Sequence, residues 1–179
     1  SSIDSLKSAK IYLRMGNIYS ENLEDYISSI EMYNRSINIK ATSKVLNKRG
    51  DSKLTLKQFD SAEVDFLKAI EINQELNKNG DTKNNSELSK SYLGISHVHI
   101  NNKEYQKAIE YLKKTIELDR DDPDGFYKLA FVYNEKSEFF KAIEQISISI
   151  SKSEESKLNN ENYYISSIDD NVTRLSIED

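Results

Sequence analysis

Apolar residues recur along this chain at three- and four-residue steps, interrupted by short polar turns. That period belongs to amphipathic helices and not to the two-residue alternation of strands. It predicts helices at about 9–20, 24–39, 43–56, 59–78, 85–101, 104–118, 123–136, 138–152 and 160–176. The turn signals agree with these bounds. Pro123 suits a first helical turn, where its missing N–H is not needed, and Asp121 or Asp122 stands where it caps that turn. Asn79-Gly80-Asp81 reads as a helix stop, and Asn85 or Ser86 as the next start.

The helices repeat in pairs. Ser89–Asp122 laid on Pro123–Ser156, each of thirty-four residues, places Tyr92, Ile95, Ser96, His99, Tyr105, Ala108 and Leu112 on Phe126, Leu129, Ala130, Tyr133, Phe139, Ala142 and Ile146. Two earlier copies run over about 9–42 and 43–76. Small residues hold position eight (Gly16, Gly50, Ser96, Ala130) and position twenty (Ser29, Ala62, Ala108, Ala142), which lets the two helices of a repeat approach closely. A further small position, twenty-seven (Ser36, Ala69, Thr115, Ser149), is expected to lie against the following repeat. Large-x2-Leu-Gly-x2-Tyr followed by Ala-x3-Phe at a period of about thirty-four is the tetratricopeptide signature, and the chain resembles that repeat family. It lacks the signature's Trp at position four and its Pro at position thirty-two, where the third repeat has Arg120.

The resemblance implies an all-α fold, a right-handed α-α superhelical solenoid in one domain spanning 1–179, built to bind other proteins. Local departures refine the expectation. Residues 1–8 read as a polar lead-in, and the turn Glu21–Asp25 is one residue longer than its counterparts. In the second repeat Arg49 and Lys53 stand where apolar residues are usual, so the helix 43–56 is expected to pack loosely. Residues 77–88 exceed the repeat length; Ile72, Leu76 and Leu88 continue the apolar stripes, which favours lengthened helices forming a ridge over a floppy insertion. After a polar link from Ser151 to Glu161, the stripe Tyr164, Ile165, Ile168, Val172 and Leu175 predicts a helix over about 160–177 that covers the open end of the fourth repeat.

In this family partners bind on the concave face, lined by the first helix of each repeat. The resemblance therefore nominates Lys10, Arg14 and Asn17; Lys44, Asn47, Lys48 and Asp51; Lys90, Leu93, His97 and Asn101; and Tyr127, Phe131 and Asn134. Lysine at position two in three repeats suggests a basic wall, and Tyr127 with Phe131 an aromatic floor. Such a groove suits a protein or peptide segment carrying acidic groups and one large apolar anchor. The carboxylate clamp of chaperone-binding relatives is present only in pieces, because Leu13, Lys48 and Gly94 occupy clamp positions of different chemistry. The competing reading makes the chain the sensor or regulatory region of a larger signalling or transcription-regulatory protein. It opens on Ser1-Ser2 without an initiating Met, which reads as a trimmed or excised piece.

Composition narrows the chemistry further. A net charge of -5 gives the chain no overall field for nucleic acid or anionic lipid. No apolar run approaches the roughly twenty residues of a membrane-spanning helix, so a soluble protein, with the cytoplasm favoured, is expected. Cysteine is absent, so disulfides and thiolate metal sites are excluded. His97 and His99, two residues apart, point to different sides of a helix, and His99 at the Tyr position reads as a core residue. Asp119–Asp124 lacks the glycine and distant Glu of a calcium loop and reads as a capped turn. Three Asn-x-Ser/Thr tripeptides, at Asn34, Asn84 and Asn171, are what an Asn- and Ser-rich chain produces by accident. No phosphate loop, nucleophile elbow or zinc-helix motif occurs, so neither enzyme nor cofactor is expected. Self-association through the terminal repeat or the last helix remains open.

Overall fold

The computed structural model describes the backbone of residues 2–78 and 85–175, and the side chains of residues 4–78 and 85–157. Among the described residues all regular structure is helical. The chain divides into two compact units, Ser1–Arg120 and Asp121–Asp179. The first holds α1 (Ser2–Asn17), α2 (Tyr26–Ile39), α3 (Ser43–Thr55), α4 (Phe59–Lys78), α5 (Asn85–Asn101) and α6 (Tyr105–Leu118). These form three helical hairpins, α1/α2, α3/α4 and α5/α6; α2 packs on α3, and α4 on α5, so the hairpins stack as a solenoid. The second unit is a fourth hairpin of α7 (Pro123–Glu135) and α8 (Phe139–Leu175).

Each hairpin turns in the same way. Glu24, Lys57, Lys103 and Ser137 all take positive φ, between 52° and 60°, at equivalent points of the four turns. In the last three turns the N–H of this residue reaches back to the preceding helix, as in Lys103 N–H to the Ile100 carbonyl. The extra residue of the first turn is absorbed by a π-helical turn, Ile18–Asn22, that continues α1. The polar lead-in expected over 1–8 is instead helical from Ser2. Side chains cap the helix starts: Asp25 accepts from Ser28 N–H, Thr42 from Val45 N–H, and Asp122, one of the two expected at that turn, from Asp124 N–H ahead of Pro123.

The core follows the small-large pattern. Gly16, Gly50, Ser96 and Ala130 are buried, as are Ser29, Ala62, Ala108 and Ala142. Phe66, fully buried on α4, lies in a slot between α3 and α5: a Cβ placed on Gly50 or Gly94 would fall 2.7 or 2.3 Å from its ring. Around it Ala62, Ile70, Leu88, Ile95 and Val98 close one apolar cluster. At position twenty-seven Ser36 and Ser149 donate to the carbonyls of Ala9 on α1 and Pro123 on α7, tying each second helix to the first helix of its own repeat.

Three further expectations change. Helix α3 is not loosely packed: Arg49 and Lys53 converge on the buried carboxylate of Asp65 on α4, with Lys53 Nζ at 2.8 Å, while Val45, Leu46 and Ser52 are buried beside them. Ionic pairing has replaced an apolar contact there. In the insertion, α4 runs to Lys78 and α5 starts at Asn85, so both helices are lengthened; Leu88 is buried, Leu76 is exposed, and residues 79–84 lie outside the described residues. Finally, the polar link expected from Ser151 to Glu161 is helical, and α8 runs unbroken over 37 residues. Good helix formers such as Lys152, Glu154, Glu155 and Lys157 carry it through. A separate helix docked over the fourth repeat is therefore not formed by a break in this link. The side chains of Tyr164, Ile165, Ile168, Val172 and Leu175 lie outside the described residues.

Candidate interaction groove

Helices α1, α3 and α5 carry the nominated residues of the first unit, and α3 and α5 pack directly on one another. The hydrogen bonds between them divide those residues into two groups. Asn47 is buried: its amide nitrogen donates to the Glu87 carbonyl and carboxylate, at 2.9 and 3.2 Å, and its oxygen accepts from Ser91 at 2.7 Å. These bonds tie α3 to α5 and take up the polar atoms of a residue nominated for partner binding. Asn17 is half committed, since its oxygen accepts from the Tyr33 hydroxyl. His97 is half-buried, and Asn101 donates to its carbonyl one turn away. Leu93 is half-buried on the same helix.

The charged residues are less uniformly basic than the lysine stripe suggested. Lys48 pairs with Glu21 at 2.8 Å, and Lys90 with Glu87 at 3.1 Å. Burial works against the Lys48 charge, but the bond to Glu21 and nearby carboxylates outweigh it and hold its pKa above the ordinary value. Asp51 has the opposite problem. Open to solvent on one side but surrounded by protein on the others, its carboxyl is desolvated and pushed up to about 6, with Glu87 adding to the rise and Lys48 and Lys90 opposing it. Glu21, Asp51 and Glu87 thus temper the middle of the groove.

Among the described residues Lys10, Arg14, Lys40 and Lys44 have no ion-pair partner. Lys10 and Lys40 stand at a cavity of about 280 Å³ between α1, α2 and α3, whose apolar lining comes from Leu6, Ala9, Leu13 and Val45. Position two and position five of the first repeat supply Lys10 and Leu13. Lys40 and the cavity itself could not be found from repeat positions, because they depend on how α2 ends and the chain crosses to Thr42. In the second unit, Tyr127, Phe131 and Asn134 are exposed on α7.

His99 is buried, its Nδ1 2.7 Å from Glu104 and its ring stacked on Tyr111, so it is a core residue as its position implied. Among the described residues no three His, Asp or Glu side chains gather as a metal site, and no helix is long and apolar enough to cross a membrane.

Comparison with known proteins identifies the scaffold. The sequence profile of the tetratricopeptide repeat matches residues 9–43, 43–76 and 89–122. No curated protein matches the chain by sequence. Solved structures are similar in fold: a crystal structure of MamA, at 17% identity and a TM-score of 0.68, over 83% of this chain and 80% of that one. YrrB, described as a TPR protein with an unusual peptide-binding site, gives 19% identity and 0.63 over 88% and 75%. The first TPR of Spaghetti (RPAP3), bound to the HSP90 peptide SRMEEVD, gives 17% and 0.63 over 73% and 94%. With its helical hairpins stacked around small-residue contacts and three successive segments matching one repeat profile, this chain belongs to the tetratricopeptide repeat family.

Proposed function

We propose that this protein is an interaction scaffold that binds an extended peptide segment along α1, α3 and α5, seating an apolar side chain in the cavity between α1, α2 and α3 and an acidic group on the lysines beside it. The observation that carries the reading is the coincidence of the apolar cavity with Lys10 and Lys40, with Lys44 on the neighbouring helix also free of a counterion among the described residues. An apolar pocket fixes one side chain, and unpaired lysines at its edge select a carboxylate next to it. At about 280 Å³ the cavity falls just below the roughly 300–1,000 Å³ of small-molecule sites, a size suited to a single large side chain. Peptide binding by two structural neighbours, YrrB and the RPAP3 domain, is consistent with this use of the fold.

The test is a peptide array in which a Leu, Ile or Phe is flanked by Asp or Glu, with matched peptides carrying Asn or Gln. Acidic members should bind preferentially and lose affinity as salt rises. Lys10→Glu with Lys44→Glu should weaken binding at least tenfold, and Leu13→Arg should block the cavity, while Lys68→Glu on α4 leaves binding unchanged. Equal binding of the acidic and amide peptides would refute the electrostatic half of the proposal. Indifference to Leu13→Arg would refute the pocket.

A further inference from the structure

The repeats report what the outer face of α1 is shaped to receive. Positions three, seven and ten of a repeat are Val45, Arg49 and Ser52 on α3, and Ser91, Ile95 and Val98 on α5. Four of the six lie toward the second helix of the preceding hairpin: Ser52 accepts from Ser29 and Arg49 donates to Asn34 of α2, while Ile95 and Val98 share a cluster with Phe66 and Ile70 of α4; Arg49 also pairs with Asp65 of α4, and Ser91 donates to Asn47 of α3. The same positions on α1 are Ile11, Met15 and Ile18, more apolar than either counterpart. Yet Ile11 and Ile18 are 56% and 54% exposed.

Helix α8 shows the complementary surface. Ile146 and Ile150 stand where α4 has Phe66 and Ile70, the residues that α5 buries. Ile150 is 54% exposed, Ile143 on the same face 61%, and Phe140 at its start still more open. The first unit therefore offers an uncovered first-helix face, and the second unit an uncovered second-helix face. These are the two halves of a contact the chain already makes twice inside its first unit.

We propose that the occupant of the α1 face is α8 of a second copy of this chain, so that molecules join head to tail and Ile143, Ile146 and Ile150 lie against Ile11, Met15 and Ile18. The second copy is favoured because it supplies the kind of apolar helix that α2 and α4 present within the chain, and because the contact covers both open faces at once. It is heterologous: each molecule contributes a different surface, and one joined pair still leaves a free face of each kind.

The experiment uses the full chain in sedimentation velocity over a range of concentrations. Wild type should increase in average mass with concentration beyond a dimer. Two variants separate the faces, Ile11→Asp with Ile18→Asp, and Ile143→Asp with Ile150→Asp; all four side chains are more than half exposed, so the fold tolerates the charges. Unchanged far-ultraviolet circular dichroism checks this. Each variant alone should be monomeric. Mixed in equal amounts they should form a heterodimer and stop, because only one intact α1 face and one intact α8 face remain to meet. Wild type that stays monomeric to its solubility limit overturns the proposal. So does either variant that still associates alone, which would mean a like-with-like contact or another surface, and so does a mixture in which no heterodimer forms.

Discussion

Replacing Gly94 by alanine sets two effects of opposite sign against each other. In a solvated helix the change gains about 1 kcal/mol of intrinsic propensity. Here the new Cβ would lie 2.3, 2.5 and 2.6 Å from three carbons of the Phe66 ring. Carbon atoms in contact sit roughly 3.5–4.0 Å apart, so the ring must retreat by more than an ångström. It has little room, because the same ring lies 2.7 Å from where a Gly50 Cβ would be and is fully buried. Overpacking of this kind costs about 1–3 kcal/mol, and a closed slot argues for the upper end. The expected net loss is therefore about 2 kcal/mol, roughly 4–8 °C in Tm for a chain of this size. Phe66→Leu opens the slot and alone costs about 2 kcal/mol in lost apolar burial. In the double variant the alanine should no longer clash, so its cost should vanish or turn into the propensity gain, a coupling of at least about 2 kcal/mol. Urea unfolding followed by circular dichroism and tyrosine fluorescence measures all four corners of the cycle. Additivity to within about 0.5 kcal/mol, or a stabilising Gly94→Ala, would show that the ring does not occupy the slot.

Other outcomes follow from single observations. Lys103→Gly should stabilise the chain by about 1 kcal/mol in thermal unfolding, since the residue holds φ at 59° and only glycine does so without strain. Asp65→Ala should cost about 3–5 kcal/mol in urea unfolding by stranding Arg49 and Lys53, and Asp65→Glu should cost less because it keeps the countercharge. Asp51, raised to about 6, still binds a proton between its unfolded pKa near 4 and that value, so its contribution to stability falls as pH rises through this window and is flat above it. Asp51→Asn should therefore stabilise the protein above pH 6 and lose that advantage below about pH 4. If the groove takes acidic peptides, wild type should bind them more tightly at pH 5.5 than at pH 7.5, and Asp51→Asn should bind about equally at both, by titration calorimetry.

What the sequence disclosed and what it concealed divide along a physical line. Helix bounds and hairpin order were legible because each depends on local chemistry, such as the cap at Asp122 or the small residues facing Tyr33 and Phe66. Repeat position nominated Asn47 for the groove but could not say that Glu87 and Ser91 would take up its hydrogen-bonding capacity. That depends on a neighbour forty residues away in the lengthened α5. Arg49 shows the same limit from the other side. Read alone, an arginine at an apolar position signals a weak helix; read with Asp65 sixteen residues later, it signals an ion cluster. The break expected after Ser151 failed for a related reason. A run of Ser, Lys and Glu is as good a solvated helix as it is a linker, and its polarity alone does not decide which. Repeat register thus tells which face a residue takes, while its availability to a partner is set by pairs that the register does not contain. For this reason Lys10 and Lys44, with no ion-pair partner among the described residues, carry the binding proposal, and Lys48 and Lys90, equally well placed by register, do not.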